Sequence, residues 1–374
     1  MIREAIQQRQ PSADFLCFFL PFPTIPMQLF ASPLPAPTLL LAIAWSAATL
    51  LPAQETSRPS AGVFTAYFEN DLFAGTDQNY TNGARLTWTS ASLDKYGDDP
   101  TFGSLTGNFD GISLLGGGSY TRNVAFTIGQ SIFTPSDTLS TELVPDDRPY
   151  AGWLYAGLGL IWKNEQVRNS LVLNLGVVGP WSYAEQAQRL IHEARDIPVP
   201  NGWDHQLHNE VGAALAWETM WRIRDRSEGG WDWDVLPYAG ATAGNVAINA
   251  RLGTEVRLGW NLPDDFGTAS ISDSAATPTP VENEQAKQWS QNLGAHVFAR
   301  AEGRAVAHDI FLDGNTFGDS HSVTKEPLVA DLAAGLSCNW RNTKLSYAFL
   351  YRTREFKGQD DGQIFGSLTM TINF

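Results

Sequence analysis

Apolar and polar residues alternate at every second position along most of this chain, and that period of two sharply limits what it can fold into. In "LVADLAAGLSCNW", Leu328, Ala330, Leu332, Ala334, Leu336, Cys338 and Trp340 share one face; Val329, Asp331, Gly335, Ser337 and Asn339 share the other. The C-terminus repeats the pattern, with Leu368, Met370, Ile372 and Phe374 set against Ser367, Thr369, Thr371 and Asn373. A period of two belongs to a β-strand with unlike faces. Further runs near 63–70, 82–91, 121–130, 150–163, 170–178, 211–221, 232–243, 249–260, 291–303 and 345–351 bring the expected total to about twelve strands. Each is long enough to cross a bilayer when tilted.

A soluble β-sandwich alternates in the same way. Three features favour a membrane barrel: the strands are long, the polar face carries small residues and charges, and the chain ends on the aromatic Phe374. Trp88, Trp153, Trp162, Trp217, Trp221, Trp260 and Trp340 fall at strand ends, as interfacial aromatic girdles do. The expected class is all-β: a transmembrane antiparallel barrel of about twelve strands with one short helix in an external loop. A net charge of −15 over 374 residues argues against a nucleic-acid partner. The cysteines, Cys17 and Cys338, form no metal-binding or thiol–histidine motif.

The first 53 residues read as a removable leader. An apolar run from Leu39 to Leu51 is followed by Pro52 and Ala53, and Met27 is an alternative start. The run is shorter than the roughly 20 residues a membrane-spanning helix needs, and it fits a signal peptide. Residues 54–374 are then the barrel.

If the first strand rises from the periplasm, the external connections are 71–81, 131–149, 179–206, about 244–249, 304–325 and 356–362. Two periplasmic connections, about 92–119 and 261–288, are long where such turns are usually short. The second is of low complexity and is expected to be flexible. On this topology the polar segments "ENDLFAGTDQNYTNG", "PDDRPYAGW" and "GPWSYAEQAQRLIHEARDIPVPNGWDHQLHNE" gather at one end. The last contains the helix, "SYAEQAQRLIHEAR", with Ala187, Leu190, Ile191 and Ala194 on one side and Glu185, Gln188 and His192 on a shared stripe. Asn70 continues the outward row of Phe64, Ala66 and Phe68. Either it is a polar residue with a task on the lipid face, or the strand has ended and Asn70 caps a loop.

The segments "ENDLF…TD.NYTNG.RL", "DDRPYAGWLY", "GVVGP……Q…H" and "P.GWD.QL.NE" occur in that order, and over residues 61–374 the chain resembles the outer-membrane lipid A 3-O-deacylases. The resemblance implies a twelve-stranded barrel that hydrolyses the 3-O-linked acyl ester of lipid A with bound calcium (Ca2+), at a site between the barrel wall and a loop helix. It places the family's functional residues on Asn70, Asp71, Thr81, Gln188 and His192, with Asn70, Asp71 and Thr81 as oxygen donors to calcium. His192 becomes the general base. The partners implied are lipopolysaccharide and the membrane, and the protein is expected to be a monomer.

Two departures stand out. Where members can carry an acidic residue about six positions after the His, this chain has Pro198; either Asp196 or Glu193 substitutes, or the metal has fewer protein ligands. The segment "SIFTPSDTLSTELVPDD" also has no Lys or Arg before Arg148 to meet lipid A phosphates. A phospholipase, or a non-catalytic pore with inward Arg85, Arg251, Glu255, Arg257, His296, Arg300 and Arg304, are the rival expectations.

Overall fold

A computed structural model describes residues 62–74, 79–111, 120–226, 231–268, 279 and 293–374. The leader expected over residues 1–53 lies outside them. Six strands form the first half: β1 (Gly62–Asn70), β2 (Asn79–Ser90), β3 (Thr121–Thr134), β4 (Ala151–Lys163), β5 (Val167–Val178) and β6. β6 has two segments, Glu210–Trp221 and Ile223–Arg226. Both pair with the next strand in one register, since Met220 faces Tyr238 and Ile223 faces Val235. The second half is β7 (Trp231–Gly244), β8 (Ala247–Trp260), β9 (Gly294–Asp309), β10 (Leu328–Trp340), β11 (Thr343–Arg352) and β12 (Gln363–Asn373).

Each strand pairs antiparallel with its sequence neighbours, and β1 pairs with β12, so the sheet closes on itself. Twelve strands and their order match the expectation from alternation. Closure removes the unpaired edges that a sheet in lipid could not satisfy.

Alternation sorts the side chains. Leu86, Ile128, Leu175, Leu252, Val297, Leu336 and Trp340 are exposed on the outer face. Inside, hydroxyls pair across strands: Thr65 with Thr371 at 3.2 Å, Thr87 with Thr127 at 2.9 Å and Ser337 with Ser346 at 2.8 Å. The inward charges are matched by carboxylates. Arg251 reaches Glu218 at 3.4 Å, Lys344 reaches Asp265 at 2.7 Å, and Arg304 reaches Asp331 at 3.2 Å. Arg257 bridges Asp234 and Asp265.

The aromatic girdle is smaller than expected. Trp221, Trp260 and Trp340 are exposed, and Trp88 and Trp217 are half-buried. Trp153 instead points into the lumen and stacks on Tyr155, and Trp162 is fully buried. The long 261–288 connection also departs from expectation over its described start. Residues 262–266 are buried, with Phe266 packed against Met220, Leu236 and Tyr238 at one mouth of the lumen. Asp264 pairs there with Arg222 and Arg224.

Candidate active site

The site builds up from the β1–β2 ladder. β1 continues through Asn70, which is paired on one side with Asn82 and on the other with Gly366. The strand has therefore not ended, and Asn70 stands on the outer row beyond Phe64, Ala66 and Phe68. It is nevertheless buried, as are Asp71, Asn79, Thr81 and Asn82. Asp71 opens a short turn, Asp71–Ala74, whose Phe73 packs edge-on against Phe68 and Tyr347. In β2 the register slips at Thr81. That bulge turns Tyr80 inward, where its hydroxyl donates to Glu69 at 3.1 Å, and sets Thr81 within 2.7 Å of the Thr134 hydroxyl. Bulges often re-aim a side chain at a site in this way.

Beside this polar patch lies α1 (Ala184–Arg195), which packs on β3 and β4. Gly179, with φ of 88°, breaks the chain out of β5, and a 3-10 turn at Pro180–Ser182 lays the helix back against the outer wall of β3 and β4. The Ser182 carbonyl accepts from Gln130 Nε2 at 2.6 Å. Ala184 joins Ile132, Tyr150 and Trp203 in one buried cluster, and Ile132 is the cross-strand neighbour of Asn82. Polar patch and helix are thus contiguous. The buried stripe of α1 is Ala184, Gln188 and His192, spaced four apart. Leu190 is 68% exposed and faces away. The polar side of this helix meets the barrel and part of its apolar side is turned outward, as suits a helix lying on a lipid-facing wall.

Both α1 side chains expected at the site are held. Trp203 Nε1 donates to Gln188 Oε1 at 2.9 Å, and the Trp203 ring packs on Tyr150 at 4.9 Å. After Arg195 the chain turns through Asp196, with φ of 55°, and Ile197 N bonds back to the His192 carbonyl at 3.1 Å. That cap carries the Pro198 carbonyl to 2.6 Å from His192 Nδ1. A carbonyl only accepts, so Nδ1 carries the proton and the neutral ring keeps its lone pair on Nε2. Asp196 and Glu193, the nearest acidic residues to Pro198, are both exposed. The backbone at Pro198 orients the imidazole.

All five residues expected from sequence are buried at this rim. Asn82 belongs with them and was not expected. It is 6% exposed, and its Nδ2 has no hydrogen-bond partner among the described residues. The available signal was its parity with Ala84 and Leu86 on the outer row. Arg148 moves the other way: it is buried, paired with Glu355 at 3.1 Å and lying over the Phe133 ring, so it offers nothing to a phosphate outside. "DDRPYAGW" and "PNGWD" serve as buttresses for the helix.

The buried side chains of this segment include the Asp71 carboxylate, the carboxamides of Asn70, Asn79 and Asn82, and the Thr81 hydroxyl. Asn79 Oδ1 is buried with no hydrogen bond among the described residues. This chemistry fits a hard cation such as calcium. Among the described residues there is no group of three or more His, Cys, Asp or Glu side chains suited to a metal. A separate cavity of about 110 Å³ lies inside the lumen, lined by Glu69, Tyr80, Arg304 and Arg352 among others, and is walled off from the outer site by the barrel.

Comparison with known proteins bears on both fold and family. The family model described as outer membrane protein LpxR matches residues 39–374. The solved structure of LpxR from Salmonella typhimurium is similar in fold, with a TM-score of 0.67 and 19% identity over 83% of this chain and 100% of that one. The β domain of the Bordetella autotransporter BrkA aligns with a TM-score of 0.39 and 11% identity over 85% of this chain and 99% of its own. No curated protein sequence matches the chain.

Proposed function

The chain belongs to the LpxR family of outer-membrane proteins, and we propose that it is an esterase that removes the 3-O-linked acyl chain of lipid A in the outer leaflet. One observation carries this reading. Amide, carboxylate and hydroxyl groups lie buried on the lipid-facing wall, and the helix packed on the neighbouring strands of that wall buries Gln188 and His192, the His192 ring being fixed by the Pro198 carbonyl. Polar groups at that place are costly unless they have a task.

The chemistry follows from the tautomer. His192 Nε2 takes a proton from water as its oxygen attacks the ester carbonyl. The tetrahedral intermediate collapses, the C–O bond to the sugar breaks, and His192 returns the proton to the departing sugar oxygen. A free fatty acid and a 3-hydroxyl result. The Pro198 carbonyl steadies the ring while it is positively charged. Gln188, fixed by Trp203, and Asn82, with its unused N–H, line the site as donors for the carbonyl oxygen, where preorganised donors matter most. Asp71, Asn70 and Thr81 would hold calcium, which when bound supplies a positive centre that polarises the ester carbonyl.

A second reading, deacylation of a glycerophospholipid, is favoured by the burial of Arg148, which leaves that loop without an outward cation. Purified protein given lipid A and phosphatidylethanolamine side by side separates the two: release of fatty acid from lipid A alone is expected. Chelation should stop it and calcium restore it. With one carboxylate in the donor set, the half-effect should lie at about 10⁻⁴ M or weaker. Full activity in excess chelator would remove the metal from the scheme.

A further inference from the structure

The connection between β2 and β3 has no part in the site, yet it is folded. Over residues 91–111 it forms a compact knot. Leu93 and Arg122 exchange backbone hydrogen bonds of 2.8 and 2.9 Å, which extends the ladder past Ser90. The Asp99 carboxylate accepts from Thr101 N and Phe102 N, and the Asp110 carboxylate from Tyr96 N. Arg122 donates to the Asp94 carbonyl at 2.6 Å and lies over the Tyr96 ring. Tyr96 is wholly buried.

The knot does not lie across the lumen. Phe102 stacks on Phe126 at 5.7 Å and approaches Trp88 at 6.2 Å. Leu93 and Phe102 pack with Val124, Leu158 and Leu160. Trp88, Val124, Phe126, Leu158 and Leu160 all belong to outward rows, so the knot rests on the outside of the wall, at the end that carries Gly62 and Asn373.

From Phe102 the chain makes two tight turns, Gly103–Thr106 and Gly107–Phe109. Phe102, Leu105 and Phe109 are spaced three and seven apart, along one stripe of a helical turn. Phe102 is the member seated on the wall. Leu105 is 58% exposed and Phe109 is 42% exposed. Scattered exposed apolar residues need no explanation. These two lie on the same stripe as Phe102, which is seated on the lipid-facing row.

We infer that residues 91–111 form a membrane-interface foot, with Leu105 and Phe109 inserted among the phospholipids of the periplasmic leaflet beside the barrel. The foot would fix the height of the barrel in the bilayer, at the end opposite the site. The described start of the other long connection goes the opposite way, to the lumen, where Phe266 packs.

The test uses the full chain with Cys17 and Cys338 replaced by serine. Leu105→Cys, Phe109→Cys and, as a polar reference on the same knot, Asp98→Cys each carry an environment-sensitive fluorophore. The barrels are reconstituted in phosphatidylethanolamine–phosphatidylglycerol vesicles containing nitroxide lipids. The labels at 105 and 109 should shift to the blue and be quenched several-fold more strongly than the label at 98. Equal quenching at all three sites overturns the inference. So does a label at 105 that stays aqueous in vesicles but is shielded in isolated outer membranes, which would give the surface to a periplasmic protein.

Discussion

At the scale of single residues, the outer row of a strand was the most informative pattern, and it was only half read. Parity alone left Asn70 as either a functional residue or a loop cap. The ladder on both sides of it, to Asn82 and to Gly366, shows that the strand continues through Asn70 and removes the loop cap. Asn82 stands on the same row and belongs to the polar segment "ENDLFAGTDQNYTNG", but a strand pattern does not reveal which of its polar residues are buried by a distant loop. Its buried, unused Nδ2 gives a sharp expectation. Asn82→Ala should lower kcat about 10- to 100-fold, the effect of losing one hydrogen bond to a developing charge. The variant's heat-modifiable mobility on a gel should match that of the parent. A variant that folds and turns over at the parental kcat would mean that the side chain only fills space.

At the scale of elements, helix α1 was legible from its spacing and from the Gly-Pro break before it. Its orientation was not. Helical periodicity shows that a polar and an apolar side exist, and a chain in lipid can turn either of them inward. Here Gln188 and His192 face the wall. The seat of the helix is Gly152 on β4: a Cβ there would overlap Ser182 Oγ and the Ala184 methyl. Gly152→Leu should lift the first turn from the wall and displace Gln188 and His192 together. A misplacement of that kind costs about 10²-fold in rate, while the barrel ladder stays intact. Parental activity in folded Gly152→Leu would show that the helix need not sit where it does. The bulge at Thr81 was invisible in sequence for a related reason, since alternation continues to read correctly on either side of it.

At the scale of the whole molecule, period two gives the strands, and their length, the small and charged residues of the polar face and the aromatic C-terminal residue give the closed barrel, because lipid outside and a polar lumen inside impose opposite demands on alternate residues. Of the inward charges that suggested a pore, Arg251, Arg257 and Arg304 pair with carboxylates of other segments. Pairing could not be read from sequence, since partners such as Lys344 and Asp265 lie 79 positions apart. Burial would raise the Asp265 pKa, but Lys344 and Arg257 outweigh it and hold the carboxyl below its ordinary range. A depressed carboxylate stabilises the fold above its unfolded pKa of about 3.9 and loses that contribution as pH falls through the folded value. The parent should therefore melt at a higher temperature than Asp265→Asn at neutral pH, and the gap should close as pH falls below about 4. A constant gap from neutrality into acid would contradict the pairing.

Mass spectrometry of lipid A from cells that express the parent, the His192→Ala variant or neither tests the central claim most directly. The parent should convert lipid A to a species lighter by one 3-O-linked acyl chain. His192→Ala, folded and present in the outer membrane, should lose about 10²–10⁴ of that rate and leave the lipid A essentially as in cells without the protein. Unchanged lipid A beside an abundant, folded parent would contradict the esterase, and full conversion by His192→Ala would contradict the role given to its imidazole.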